Sequence, residues 1–229
     1  MQLIKNTLFT CLLMACSLLA ATAQDVNALV QKVKAKIEQV NNYEATGVMK
    51  TNVAFLKVPV AKVKIYYQKP NRLKIKNEKG ISFVPKGAVS INLSSLLAGN
   101  QYMVIDAGID AKTKAHIVKL LPTQENADVV LSTLYIDETN LVILRATTTT
   151  RENGSYELNM TYGKYISYGL PDKIIFSFNT KDYKLPKGIT FDFDDGANNK
   201  PVEKNKQGKA EITFSNYIIN KGVPDSMFN

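Results

Sequence analysis

The strongest constraint on the fold is a period of two. Val63, Ile65 and Tyr67 alternate with Lys62, Lys64 and Tyr66, and Leu73 and Ile75 alternate with Arg72, Lys74 and Lys76. A backbone that sends successive side chains to opposite faces is a β-strand, and one apolar face means that face lies on a core. Between the two runs stands Lys69-Pro70-Asn71, a turn in which proline presets one dihedral. The same grammar recurs over 101–107, 115–121, 129–136, 141–150, 155–162, 173–179, 189–193 and 210–217. Turn formers separate these runs at Pro122, Asp137-Glu138-Thr139-Asn140, Glu152-Asn153-Gly154, Leu170-Pro171-Asp172 and Pro186-Lys187-Gly188. Short strands at steps of about ten residues predict an antiparallel sheet that curls or closes on itself.

Two segments depart from that period. Over 25–43, Val26, Leu29, Val30, Val33, Ile37 and Val40 recur at three- and four-residue steps. That is one apolar stripe of a helix, with Asp25 as N-cap and Asn41-Asn42 as its end. Over 88–99, Val89, Ile91, Leu93, Leu96 and Leu97 crowd between Pro85-Lys86-Gly87 and Gly99-Asn100, and residues 93–98 read as a short helix. Such a greasy insertion either covers an open end or face of the barrel or packs as an ordinary crossover. The class is α+β, mainly β.

The amino end reads as a secretory signal peptide over 1–23. Lys5 precedes an apolar run from Leu8 to Leu19, and Ala21-Thr22-Ala23 offers small residues to a peptidase. The run is too short for a stable transmembrane helix, which wants about 20 apolar residues. Cleavage after Ala23 leaves one domain over 24–229, 206 residues long and able to bury a core without staples. An alternative is open: Leu13-Met14-Ala15-Cys16 resembles a lipoprotein box, in which Cys16 is lipidated. Both cysteines, Cys11 and Cys16, fall inside the leader, so the mature chain has no thiol for disulfides, catalysis or metal binding.

The composition points away from nucleic acid and from catalysis. The net charge is +9, but lysines are spread along the chain and the only arginines are Arg72, Arg145 and Arg151, with no arginine–aromatic cluster. His116 is the sole histidine and sits in a strand, where it reads as structural. One histidine without cysteine does not meet the ligand count of a zinc site. No Gly-x-Ser-x-Gly elbow and no Gly-rich phosphate loop occurs. Asp192, Asp194, Asp195 and Gly196 lack the spacing of a calcium loop and read as an acidic turn. The expectation is a protein that is not an enzyme and carries no metal or cofactor.

Tyr66-Tyr67-Gln68-Lys69-Pro70-Asn71-Arg72-Leu73-Lys74-Ile75 resembles the LolA family of periplasmic carriers of outer-membrane lipoproteins. So do Ile117-Val118-Lys119-Leu120-Leu121-Pro122 followed by Leu134-Tyr135-Ile136-Asp137, and the tail around Ile212-Thr213-Phe214-Ser215-Asn216-Tyr217 and Asn220-Lys221-Gly222-Val223-Pro224-Asp225. The chain departs from the family where a Ser-Asp-Gly hairpin is usual, having Ile81-Ser82-Phe83-Val84-Pro85 instead, and at Lys69, often arginine there.

The resemblance implies an incomplete antiparallel barrel with an amino-terminal helix and a short helical lid. Between them would lie an apolar cavity that shields acyl chains of a lipoprotein or free lipid. Lid candidates are Val89, Ile91, Leu93, Leu96 and Leu97; wall candidates are Phe55, Tyr67, Phe83, Tyr102, Phe176, Phe178 and Phe191; Lys69 would latch the lid. It further implies a monomer that meets an inner-membrane donor and an outer-membrane acceptor. The competing reading is an envelope stress sensor or other non-catalytic interaction module of the same fold.

Overall fold

A computed structural model of the chain describes residues 25–52, 60–70, 72–77, 97, 101–125, 127–152, 154–179 and 207–228. Helix α1 (Val26–Glu38) precedes strands β1 (Asn42–Asn52), β2 (Ala61–Gln68), β3 (Arg72–Asn77), β4 (Tyr102–Ile109) and β5 (His116–Pro122). Then follow β6 (Val129–Asp137), β7 (Val142–Thr150), β8 (Gly154–Thr161), β9 (Lys173–Asn179) and β10 (Gln207–Ile219). All ten strands form one antiparallel sheet in the order β3-β2-β1-β10-β9-β8-β7-β6-β5-β4. Among the described strands, β3 and β4 are outermost and do not pair with each other, so the curled sheet is an incomplete barrel. The expected strands at 189–193, and most of the insertion at 88–99, lie outside the described residues.

The helix forms as its stripe dictates. Asp25 accepts a hydrogen bond from the Asn27 amide at 3.0 Å, and Leu29, Val30, Val33 and Ile37 are buried. It stops at Glu38, several residues before the Asn41-Asn42 end that the stripe suggests. A residue from the far end of the chain explains the early stop. The Asn220 side chain accepts from the Asn41 amide at 2.7 Å and the Asn42 amide at 3.3 Å, and donates to the Gln39 carbonyl at 2.9 Å. These bonds satisfy backbone groups that a longer helix would otherwise claim. Val40 is still buried, but it packs with a different cluster from the rest of the stripe.

β1 is the strand that alternation does not announce. Its buried positions are Ala45, Gly47 and Met49, and the first two are too small to mark an apolar face. Gly47 sits where the β1–β10 register shifts. A Cβ there would lie 2.5 Å from the Thr213 carbonyl oxygen and 3.3 Å from the Phe214 Cα, so close backbone approach requires glycine.

Candidate functional site

Register turns the inward side chains into rows that cross the sheet. One row runs Leu120–Ser132–Thr148–Tyr156–Phe178–Gly208, and the next runs Val118–Leu134–Ala146–Leu158–Phe176–Ala210. Alternation along each strand supplies the face; pairing across strands makes it continuous. Phe178 lies over Gly208, where a Cβ would come within 3 Å of three ring atoms. The ring centroids of Phe176 and Phe178 are 5.3 Å apart, and those of Tyr156 and Phe176 are 5.4 Å apart. The Ser132 and Thr148 hydroxyls on this face bond to each other at 3.0 Å.

The buried inward residues fall into two clusters. The first joins Leu29, Val30, Val33 and Ile37 of α1 to the rows of β5–β10. The second is built on β1, β2, β3 and β10 and is aromatic. Tyr43 and Tyr67 ring centroids are 5.1 Å apart, Tyr165 and Tyr217 4.9 Å, and Phe214 and Tyr217 5.0 Å. The Tyr217 hydroxyl donates to the Pro171 carbonyl at 2.8 Å. Burial raises the Tyr43 and Tyr217 phenols well above their ordinary range, with neighbouring tyrosines reinforcing it, so both stay neutral.

The expected wall and lid residues divide accordingly. Leu97, Phe176 and Phe178 are buried in the first cluster, with Tyr102 partly buried against it. Tyr67 belongs to the second. Phe55, Phe83, Val89, Ile91, Leu93, Leu96 and Phe191 lie outside the described residues. The rings of Tyr43, Tyr165, Phe214 and Tyr217 were not foreseen. Tyr43 sits in the unannounced strand, and the inward phase of Tyr217 follows from pairing with Ala45. Lys69 is tied to α1: its ammonium donates to the Glu38 carbonyl at the helix end, and its amide donates to the Asn41 carbonyl at 2.9 Å. A cation there is favoured by the helix dipole.

His116 is clamped rather than idle. It is almost fully buried at one end of the rows, with Nδ1 hydrogen-bonded to Glu138 and Nε2 to Asp106 at 2.9 Å. Burial alone would lower its pKa, but the two carboxylates outweigh that and raise it. Hydrogen bonds from the Gly108 amide and then His116 lower the Asp106 pKa. The clamp joins β4 and β5 to the turn after β6.

A groove of about 430 Å³ lies on the opposite, outward face, between Thr147, Glu157, Asn159, Ile175, Ser177 and Lys209. Tyr156 and Phe178 of one inward row also border it, so its lining is mixed polar and apolar. Among the described residues, no three His, Cys, Asp or Glu side chains group to hold a metal, and no helix is long and apolar enough to cross a membrane.

No family model matches the sequence, and neither does any curated protein. Solved structures do match. One is a domain described as an outer membrane lipoprotein-sorting protein from Vibrio parahaemolyticus, with a TM-score of 0.57, 12% identity, and coverage of 88% of this chain and 95% of that one. A DUF1329 family protein from Desulfovibrio piger aligns with a TM-score of 0.56, 13% identity, and coverage of 89% and 97%. A LolA superfamily protein from Nitrosomonas europaea aligns with a TM-score of 0.52, 8% identity, and coverage of 89% and 97%. At these identities the likeness is one of fold, and the fold is LolA-like.

Proposed function

We propose that this chain, on a LolA-like fold, carries acyl chains of a lipid or lipoprotein in its inward face and shields them from water. The observation that carries this reading is the pair of inward rows, apolar but for the mutually bonded Ser132 and Thr148, with Leu97 and α1 packed onto them. Each methylene hidden there is worth roughly 0.8 kcal/mol, so one long acyl chain brings on the order of 10 kcal/mol before costs. Cargo has to displace contacts the face already makes with itself. Net affinity is the difference, which suits a carrier that must also release. No bond is made or broken, and no cofactor is needed.

In this reading Tyr67, Tyr102, Phe176 and Phe178 form wall, with Phe55, Phe83 and Phe191 extending it. Leu97, together with Val89, Ile91, Leu93 and Leu96, is assigned the role of lid. Lys69 holds the end of α1 in place through the Glu38 carbonyl. The leader over 1–23 sends the protein to the periplasm, where residues 24–229 work as one monomeric domain between an inner-membrane donor and an outer-membrane acceptor. The test is mass spectrometry of lipids extracted from natively purified protein, with titration of a fluorescent fatty acid. Absence of both co-purified lipid and saturable probe binding sinks the proposal; the spectrum of the intact protein also reports the mature amino end.

A further inference from the structure

Strand pairing concentrates charge that the sequence spreads out. Lys50 on β1, Lys62 and Lys64 on β2, and Arg72, Lys74 and Lys76 on β3 all alternate with the inward residues and so share the outward face. These three strands hold six cations against one acid, Glu44, whereas all other described residues together hold thirteen cations and thirteen acids. The positive excess of the described chain therefore sits on this one face.

Two acids among the described residues reach cations of this face. Glu44 reaches Lys64 at 3.9 Å, and Asp225 pairs with Arg72. Glu211, opposite Lys50 in the ladder, is drawn to Lys173 at 3.0 Å. Lys64 and Lys76 stand directly opposite each other across β2 and β3. A like-charged cross-strand pair costs stability unless an anion lies over both. Val60, at the entry to β2, adds an apolar side chain that is 61% exposed.

We propose that the outward face of β1–β3 docks on a bilayer carrying anionic lipid, its cations meeting headgroup phosphates. The purpose of this docking rests on the carrier reading, since a lipid carrier must meet a membrane. An array of cations spread over three strands suits a plane of phosphates better than a compact ligand, because the pairs need no shared geometry. Each lysine near such a surface is worth about fivefold in binding at low salt.

The experiment uses the mature chain and sedimentation with vesicles of phosphatidylcholine, with and without phosphatidylglycerol. Binding is expected only to the anionic vesicles and is expected to fall as salt rises. The triple variant Lys50→Gln, Lys62→Gln, Lys64→Gln should lose about 100-fold. The control Lys112→Gln, Lys114→Gln, Lys119→Gln has the same net charge and should stay within about twofold if location rather than total charge governs attraction. Thermal unfolding checks both variants, and Lys62→Gln with Lys64→Gln replaces the triple variant if that one is unfolded. Equal loss in the control, equal binding to neutral vesicles, or binding to heparin without binding to vesicles overturns the proposal. Fatty-acid uptake measured without vesicles separates the two readings: uptake with no charge-specific docking removes this inference alone, whereas docking without uptake removes the carrier.

Discussion

If Leu97 occupies space that cargo takes, shortening it strengthens cargo binding while weakening the empty protein. Leu97 is 1% exposed and packs in the cluster with Phe176 and Phe178. Leu97→Ala removes about three methylene equivalents, or roughly 2.4 kcal/mol of transfer free energy, before any cavity term. The empty form bears that loss in full. The loaded form, in which an acyl chain has displaced Leu97, bears little of it. The difference appears as affinity: roughly 50-fold tighter binding, at tenfold per 1.4 kcal/mol. Leu158→Ala is the matched control, since Leu158 is equally buried in the same cluster but is fixed in β8. The assay is a fluorescent fatty-acid titration beside urea unfolding of each variant. Both variants should unfold at lower urea, and only Leu97→Ala should bind more tightly. Unchanged or weaker binding by Leu97→Ala would falsify the idea that cargo and Leu97 compete, and would leave Leu97 as ordinary core.

Gly47→Ala should cost about 2–4 kcal/mol in urea unfolding, because the new methyl meets backbone and must shift the β1–β10 ladder. Gly108→Ala, with φ of 81° and nothing within 4 Å, should cost only about 1–2 kcal/mol of backbone strain; equal costs would refute the close-approach account. The raised His116 pKa makes its contribution full below the unfolded value of about 6.5 and lost as pH rises through the folded one. Melting temperatures of wild type and His116→Gln should therefore converge above neutral pH, and a gap that widens with pH refutes the clamp. Asn220→Gly keeps the left-handed backbone, with φ of 56° at Asn220, but deletes three hydrogen bonds. It should cost about 1–3 kcal/mol and speed amide exchange at Asn41 and Asn42; unaltered exchange there refutes the cap.

Much of the sheet is legible because period two is a local property. The runs at 173–179, 129–136 and 115–121 match β9, β6 and β5 to within a residue at each end. β1 was hidden because two of its inward residues are Ala45 and Gly47, small where Tyr217 lies opposite Ala45 and the Thr213–Phe214 backbone closes on Gly47. Helix α1 reads longer than it is because Asn220, some 180 positions away, claims the backbone at its exit. The wall was half legible. Phe176 and Phe178 stand in a clear alternating run, while the aromatic group around Tyr217 depends on β10 lying beside β1. Lysines that look evenly dispersed in one dimension become a single charged face once β1, β2 and β3 are in register.

The place of β10 in the sheet has a consequence for how the chain is made. It is the last strand in sequence yet lies between β1 and β9, and it carries the pairing between the three-stranded and six-stranded parts of the sheet. A chain still lacking residues 207–219 holds two unfinished sheets, each with an extra unpaired edge. Closing the loop from β1 to β10 spans most of the sequence, so this pairing forms only once nearly all of the chain has been made. Translation that stops short of β10 therefore yields not a smaller version of the protein but two sticky halves, and the finished shape waits on the final strand.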